Sequence, residues 1–216
     1  MVRLDIFADP ICPWCLIGKR LLDNALAERP DHPFTIAWHP FQLNPDMPRG
    51  GMDRRAYLEA KFGGQIEAVR VYAEIDEKAR VAGIELNLAA IARTPNTLDA
   101  HRLIHWAGIE HRQAAAVDGL FAAYFLEGRD IGDPDVLADI AAGAGMDRAM
   151  VARLLASDAD LDEMRNRDAH ARARGVTGVP TFIVADRHVL VGAQPTALWL
   201  QVIAELAGDP DTGPLH

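Results

Sequence analysis

The sequence has only two cysteines, no long apolar run and no surplus of basic residues. No stretch approaches the roughly 20 consecutive apolar residues of a membrane-spanning helix, so we expect no membrane protein. Acidic residues outnumber basic ones by 31 to 22, and the net charge of −9 disfavours nucleic acid as a partner. Hydrophobic residues make up 50% of the 216 positions, which excludes an intrinsically disordered chain.

The two cysteines, Cys12 and Cys15, lie three positions apart. A loop this short cannot staple a fold together. The N-terminal residues lack the charged head and apolar run of a secretion signal, so we expect a cytoplasmic protein. In a reducing compartment, a closely spaced pair of this kind indicates either redox chemistry or a metal site.

Patterns around the cysteines predict a strand, a helix and a second strand. Apolar and polar residues alternate over 2–6 and again over 34–38, as they do in half-buried strands. Between these segments, the residues from Pro13 to just before Pro30 suit a helix. This order predicts two parallel strands joined by a right-handed crossover, with Cys12 at the start of the helix.

The rest of the chain divides into a helical part and a short α/β part. Residues from about 53 to 174 read as helices, and after them strands are predicted over 181–184 and 188–191, then a helix capped by Thr196. We therefore divide the chain into 1–50, a helical insertion over 51–174, and 175–216, which completes the first unit. Two apolar stripes of the insertion are expected to be core, namely Ile66, Val69 and Ala73, and Val117, Leu120, Phe121, Tyr124 and Phe125.

The position of Cys12 suits a nucleophile. Free amides and the dipole at a helix start favour the thiolate over the thiol. Cys12, first in the turn, is expected to be the more exposed thiol and to attack, while Cys15 resolves the mixed disulfide. Asp5 and Asp9 are the nearest carboxylates that could take the Cys15 proton.

A second feature is the Val179-Pro180 pair just ahead of the predicted strand at 181–184. A proline at the first position of a strand removes no ladder hydrogen bond, and a tight X-Pro turn is a site for a cis peptide. If this strand lies beside the first strand, the turn faces the cysteines and offers the Val179 backbone to an extended substrate.

Four motifs together resemble the FrnE-like branch of the DsbA family of oxidoreductases. They are Asp9-Pro10-x-Cys12-Pro13-Trp14-Cys15-x-x-Gly18, Trp38-x-Pro40-Phe41, Pro95-Asn96-Thr97-x-x-Ala100-His101 and Gly175-Val176-x-Gly178-Val179-Pro180-Thr181-Phe182. The resemblance implies an α/β thioredoxin-like fold with a large all-helical insertion, a cis Pro180, Cys12 as nucleophile and Cys15 as resolving thiol.

The same resemblance implies which residues contact the substrate. Pro13 and Trp14 flank the sulfur, Val179 and Pro180 lie opposite, and Asn96, Thr97 and His101 are expected to line the cleft. The substrate is a disulfide or dithiol, no cofactor is required, and glutathione is a candidate redox partner. Monomer and homodimer both remain open.

Two alternatives stay open at this point. Related isomerases of 2-hydroxychromene-2-carboxylate and kappa-class glutathione transferases use glutathione with a single Ser or Cys, whereas this chain has two cysteines. A zinc-held binding module would need about four ligands, for which Cys12, Cys15, His101 and His105 form a conceivable set. For His101 alone, composition favours a hydrogen-bonded core position over a functional role.

Overall fold

A computed structural model describes residues 1–208, so the last eight residues of the predicted segment 175–216 lie outside the described part. The strands are β1 (Val2–Ala8), β2 (Phe34–Pro40), β3 (Met52–Asp53), β4 (Arg93–Thr94), β5 (Thr181–Val184) and β6 (His188–Val191). The helices are α1 (Pro13–Glu28), α2 (Arg54–Phe62), α3 (Gln65–Val81), α4 (Leu98–Ile109), α5 (Gln113–Phe121), α6 (Pro134–Gly143), α7 (Arg148–Leu155), α8 (Leu161–Ala173) and α9 (Thr196–Ala207). Within residues 1–208, no helix has the length and apolar character needed to cross a membrane.

The main sheet has the strand order β2-β1-β5-β6. β1 and β2 are parallel, in the register Val2 to Phe34, as the strand-helix-strand pattern predicts. β5 pairs antiparallel with β1, with Phe7 opposite Thr181. This register places the start of β5 beside the end of β1, where the chain continues toward the cysteines.

One face of the sheet is apolar and carries α1 and α9. Leu4 and Ile6 are fully buried on β1, and Phe182 of β5 meets Trp199 of α9 edge to face at 4.9 Å. α9 does not begin with the predicted Thr196 cap, because Pro195 occupies the cap position. The Thr196 hydroxyl instead donates to the Leu21 carbonyl, which ties α9 to α1.

Between β2 and β5 the chain is helical apart from the two-residue pair β3 and β4, which confirms the predicted insertion. The stripe around Leu120 and Tyr124 is buried, as expected. The other predicted core stripe is wrong, since Val69 on α3 is 64% exposed and Ile66 is also exposed. α3 carries apolar residues on two sides, and the side it buries is that of Ala68, Ile75 and Ala79.

Candidate active site

Cys12 occupies the N-cap position of α1, directly after the turn that follows β1. Its own side chain makes no capping bond, but its carbonyl accepts from the amides of Cys15 and Leu16 at 3.1 and 3.3 Å. Pro13 begins the helix, where its missing N–H leaves no bond unmade. The local sequence thus holds Cys12 Sγ at the start of a 16-residue helix, with Cys15 one turn further along.

Both thiols are free and buried. Cys12 is 3% exposed and Cys15 is 1% exposed, so Cys12 is the more exposed thiol, as expected, but by a small margin. The turn before β5 contacts the first thiol, because Cys12 Sγ donates to the Val179 carbonyl at 3.6 Å. Both thiols are packed in the core, and this turn forms part of the cover over Cys12.

The Val179–Pro180 peptide is cis in the structure. Pro180 is buried and Val179 is half-buried against the core, beside Cys12. The antiparallel pairing of β5 with β1 explains this placement, since it brings the start of β5 to the cysteine end of β1. Trp14 is half-buried and packs against the same core.

Gly18 on α1 allows the Pro180 turn to lie close to the helix. A Cβ at position 18 would stand 3.2 Å from Pro180 Cγ and 3.3 Å from Ala193 Cα. One of these contacts is with backbone, which cannot rotate away as a flexible side chain can. Glycine is therefore the residue that permits this approach.

We expect Gly18→Ala to lower the free energy of unfolding by about 1–2 kcal/mol, because the added methyl group overpacks the contact with Pro180. The measurement is urea denaturation at neutral pH. Gly143→Ala is the matched control, since Gly143 also lies in a helix and a Cβ there would meet nothing within 4 Å. A gain in stability for both variants would contradict a tight contact at Gly18.

Asp9 is a fully buried carboxylate in the turn between β1 and Cys12. It accepts from the amides of Ile11 at 3.2 Å and Leu43 at 2.7 Å. Burial raises the pKa of Asp9 from 3.8 to about 7, although these amides and the Thr97 hydroxyl oppose the rise. At neutral pH, Asp9 therefore exists in comparable amounts as acid and as carboxylate.

Asp9 also acts on the second thiol. The pKa of Cys15 lies well above its usual value, first because of burial, then because of the Cys12 thiol, with a further contribution from the Asp9 carboxylate. Asp5, the other candidate, lies elsewhere: it bonds with Arg3 at 2.8 Å and with His39 at 2.5 Å. Of the two predicted carboxylates, Asp9 is the one whose charge acts on the Cys15 thiol.

The three residues predicted to line the cleft, Asn96, Thr97 and His101, lie just before or within α4 and make different contacts. Asn96 caps the helix by accepting from the Leu98 amide at 2.9 Å, and it donates to the Met47 carbonyl at 2.6 Å. Thr97 occupies the N-cap without a side-chain cap bond, and its hydroxyl acts on Asp9 by lowering the pKa of that carboxyl. Among the three, Thr97 is the residue that the structure joins to the Asp9 side of the site.

His101 is a buried core residue. Its Nε2 has no hydrogen-bond partner within residues 1–208. Burial lowers the pKa of His101 from 6.5 to about 4, opposed by the charge of Asp168 and a hydrogen bond with the Phe41 backbone. His101 is therefore neutral at physiological pH.

Residues 1–208 contain no arrangement of side chains that fits the predicted zinc site. Within the described residues, no group of three or more His, Cys, Asp or Glu side chains is arranged to hold a metal ion. The Cys2His2 set that the sequence allowed, with His101 and His105, is therefore not brought together. The two thiols are instead packed in the core, and Cys12 also contacts the Val179 carbonyl.

Sequence reasoning missed Tyr57 and Tyr72, which lie close enough to Cys12 to interact electrostatically with it, and it also missed Arg54, which lies beside Tyr72. Burial raises the pKa values of both tyrosines, and the charge of Cys12 adds to the rise. Tyr57 Oη is bonded to the side chain of Asn44, at 3.1 Å. No motif marks these residues, since they come together only when α2 and α3 pack near the start of α1.

Three comparisons place this geometry among known proteins. The family described as DSBA-like thioredoxin domain matches residues 3–204. The Bacillus subtilis (strain 168) protein YwbO is 27% identical over 205 residues, covering 94% of this chain and 96% of its own. The crystal structure of a probable DsbA oxidoreductase from Streptomyces coelicolor has a TM-score of 0.85 and 29% identity, covering 100% of this chain and 93% of that one.

A further structure shares the fold at lower identity. It is the cytosolic disulfide reductase DsbM from Pseudomonas aeruginosa with GSH, at a TM-score of 0.65 and 20% identity. The alignment covers 95% of this chain and 99% of that one. The similarity extends over essentially the whole length of both chains.

Proposed function

Because the chain belongs to the DSBA-like thioredoxin domain family, we propose that it is a thiol-disulfide oxidoreductase whose reacting groups are Cys12 and Cys15. The observation that carries the proposal is the position of the pair. Cys12 begins α1 and its sulfur contacts the Val179 carbonyl at 3.6 Å, while Cys15 follows one helical turn later. Neither thiol is held in a disulfide.

The reaction proceeds through two exchanges. The Cys12 thiolate attacks one sulfur of the substrate disulfide, forming a mixed disulfide and releasing the other sulfur as a thiolate, which takes up a proton. Cys15 then attacks Cys12 Sγ, forming the Cys12–Cys15 disulfide and expelling the second substrate thiol. The substrate gains two electrons and two protons, and the cysteine pair loses them. The reverse sequence oxidises a dithiol.

The second exchange needs a proton acceptor for Cys15. The pKa of this thiol is well above its usual value, so at neutral pH the thiolate is scarce. Asp9, with a pKa of about 7, is partly ionised under the same conditions and acts on the same thiol. In our proposal, the Cys15 proton passes to the Asp9 carboxylate as Cys15 attacks, and the departing thiolate takes up a proton afterwards.

The Val179-Pro180 turn supplies the binding surface for an extended substrate. In the free protein the Cys12 thiol donates to the Val179 carbonyl, and substrate attack requires this bond to open. The Val179 backbone then becomes available to a substrate chain lying across the sulfur. Trp14 and Pro13 flank the first thiol on the helix side, and Thr97 acts on Asp9 by lowering the pKa of its carboxyl.

Glutathione is the thiol partner we propose for regenerating the reduced pair. Two glutathione molecules would reduce the Cys12–Cys15 disulfide and leave as glutathione disulfide. The structure of the cytosolic reductase DsbM, which shares the fold, is with GSH. A reducing cytoplasm, our proposed location, supplies this thiol and keeps the pair reduced.

A glutathione-dependent isomerase or transferase is the less favoured activity. Such a reaction needs the glutathione thiol to stay intact or to pass to a substrate. In this chain, a glutathione captured on Cys12 would be expelled by Cys15 one turn along. The paired cysteines therefore favour electron transfer over either of these reactions.

The proposal is tested by equilibrating the protein with glutathione buffers of increasing oxidising strength. We expect the two thiols to disappear together, with a mass loss of two hydrogens and no lasting glutathione adduct, because Cys15 resolves the mixed disulfide. For this two-electron couple, a tenfold change in the equilibrium constant corresponds to about 30 mV. A stable single adduct on Cys12, or thiols that never oxidise, would contradict the proposed chemistry.

A further inference from the structure

Arg54 is a buried cation without an anionic partner. It is the first residue of α2 and is 7% exposed. Its Nη1 donates to Tyr124 Oη at 2.9 Å, but Nη2 is buried and has no hydrogen-bond partner within residues 1–208. None of the ion pairs in this part of the chain includes Arg54. A buried charge is normally paired, because removing it from water is costly otherwise.

Aromatic rings surround the guanidinium and partly compensate for the lost water. Arg54 Cζ lies 5.1 Å from the centroid of Tyr72 and 5.7 Å from that of Tyr124. Cation-π contacts stabilise a guanidinium through its flat faces. They supply no acceptor for its N–H groups, which lie in the guanidinium plane. These contacts leave one donor group of Arg54, Nη2, unused.

A cavity of about 520 Å³ lies beside Arg54, between α2, α3 and the segment 88–92. Its walls are mainly apolar and include Leu58, Val69, Tyr72 and Leu88. The exposed position of Val69, which was unexpected for an apolar residue of α3, places it at this cavity.

The other charged groups on the cavity wall already have partners. The Asp53 carboxylate caps α2 by accepting from the Ala56 amide at 2.9 Å. Arg55 pairs with Glu59 at 2.8 Å. Asp53 forms no ion pair in the described part of the chain, but it is exposed to water. Arg54 is therefore the buried charge on this wall that forms no ion pair and whose Nη2 has no hydrogen-bond partner within residues 1–208.

We propose that the cavity binds a small organic carboxylate with an apolar body. The carboxylate binds the Arg54 guanidinium, and the apolar body lies against Leu58, Val69 and Leu88. Because Nη2 is covered in the free protein, binding includes a local side-chain movement that uncovers it. This site is separate from the cysteine pair, and its occupation requires no thiol chemistry.

The composition of the site selects this class of ligand. A neutral apolar molecule would fill the cavity but leave the Arg54 donor unpaired, which is unfavourable for a buried polar group. A phosphate carries more charge than one guanidinium neutralises, and the apolar walls do not solvate the excess. One carboxylate matches one guanidinium, and an alkyl or aryl body matches the walls.

Octanoate is the probe for this site, and octanamide, which has the same shape without the charge, is its control. Calorimetry should show saturable octanoate binding, with octanamide at least about tenfold weaker, since a charge-assisted pair is lost. In Arg54→Met the preference for octanoate over octanamide should disappear. Equal binding of the two probes to the wild-type protein, or no saturable octanoate binding below about 10 mM, would overturn the proposal.

A second pair of variants does not depend on how Arg54→Met folds. Val69→Asp adds a negative charge at the cavity, at an exposed position, and should weaken octanoate binding at least about tenfold. Val81→Asp is the matched control on the same helix, where Val81 is 81% exposed and outside the cavity wall. It should leave octanoate binding unchanged. Equal losses in the two variants would show that the octanoate effect comes from net charge and would contradict a site at Arg54.

Discussion

Replacing Cys15 with serine is expected to stop turnover and leave the protein covalently attached to its substrate through Cys12. The attack on the substrate disulfide needs only Cys12, whereas release of the bound half needs Cys15 one turn along α1. With glutathione disulfide as substrate, Cys15→Ser should accumulate one glutathione per chain, detected by mass spectrometry. Steady-state disulfide exchange should fall by about a thousandfold or more, as when a nucleophilic residue is removed.

Cys12→Ser is the matched control for this trapping experiment. It should retain no glutathione, because the remaining thiol is 1% exposed and has a pKa raised well above its usual value by burial. The same pair of variants, used to capture proteins from cell extracts, would identify natural substrates. Equal adducts in both variants, or an adduct confined to Cys12→Ser, would reverse the assigned roles.

The second large effect concerns the free energy of unfolding between pH 4 and pH 6.5. In this range we expect the pH dependences contributed by two buried groups to cancel. Asp9 has a pKa of about 7 in the folded protein against 3.8 ordinarily, and His101 has about 4 against 6.5. In this range each group contributes about 1.4 kcal/mol per pH unit to the free energy of unfolding, with opposite signs. Their sum in the wild-type protein is therefore close to zero.

The signs follow from which state holds the extra proton. Folded Asp9 is protonated while unfolded Asp9 is not, so its contribution is complete below about pH 4 and is lost as the pH rises toward 7. Folded His101 is neutral while the unfolded side chain is protonated below 6.5, so its contribution is present above 6.5 and is lost as the pH falls toward 4. Replacing either residue leaves the free energy of unfolding with the uncompensated pH dependence of the other.

Urea denaturation in steps from pH 4 to pH 6.5 measures both slopes. Asp9→Asn should lose about 3 kcal/mol relative to the wild-type protein on going from pH 6.5 to pH 4, and His101→Gln should gain about the same. Asp158→Asn and His188→Gln, at exposed positions, control for the change in surface charge. If Asp9→Asn runs parallel to the wild-type curve, Asp9 lacks the pKa needed to accept the Cys15 proton.

Local patterns were sufficient for the elements that form the site, because each has a strong signal within a few residues. Alternation gave β1 and β2, and Pro13 gave the start of α1 just after Cys12. Such patterns could not show which of the two candidate carboxylates, Asp5 or Asp9, acts on Cys15. Asp5 lies within β1 and Asp9 beyond its end, and which of them acts on Cys15 depends on the direction of each side chain in the folded sheet.

Features that depend on distant contacts were not predictable from local patterns. The hydrogen bond from Cys12 Sγ to the Val179 carbonyl joins residues that are 167 positions apart. The buried side of α3 was misassigned because its sequence offers apolar residues in two directions, and the packing of α3 against α1 selects one. Arg54 carries no motif, and its partner Tyr124 lies 70 positions away.

The pairing of β5 with β1 has a consequence during biosynthesis. The contact between Cys12 Sγ and the Val179 carbonyl cannot form until the segment around Val179 and β5 has left the ribosome. The nascent chain therefore lacks this contact for most of its translation, and such long-range pairings also close slowly. The reactive centre is completed as a late event, when the segment around Val179 docks onto a strand made at the outset.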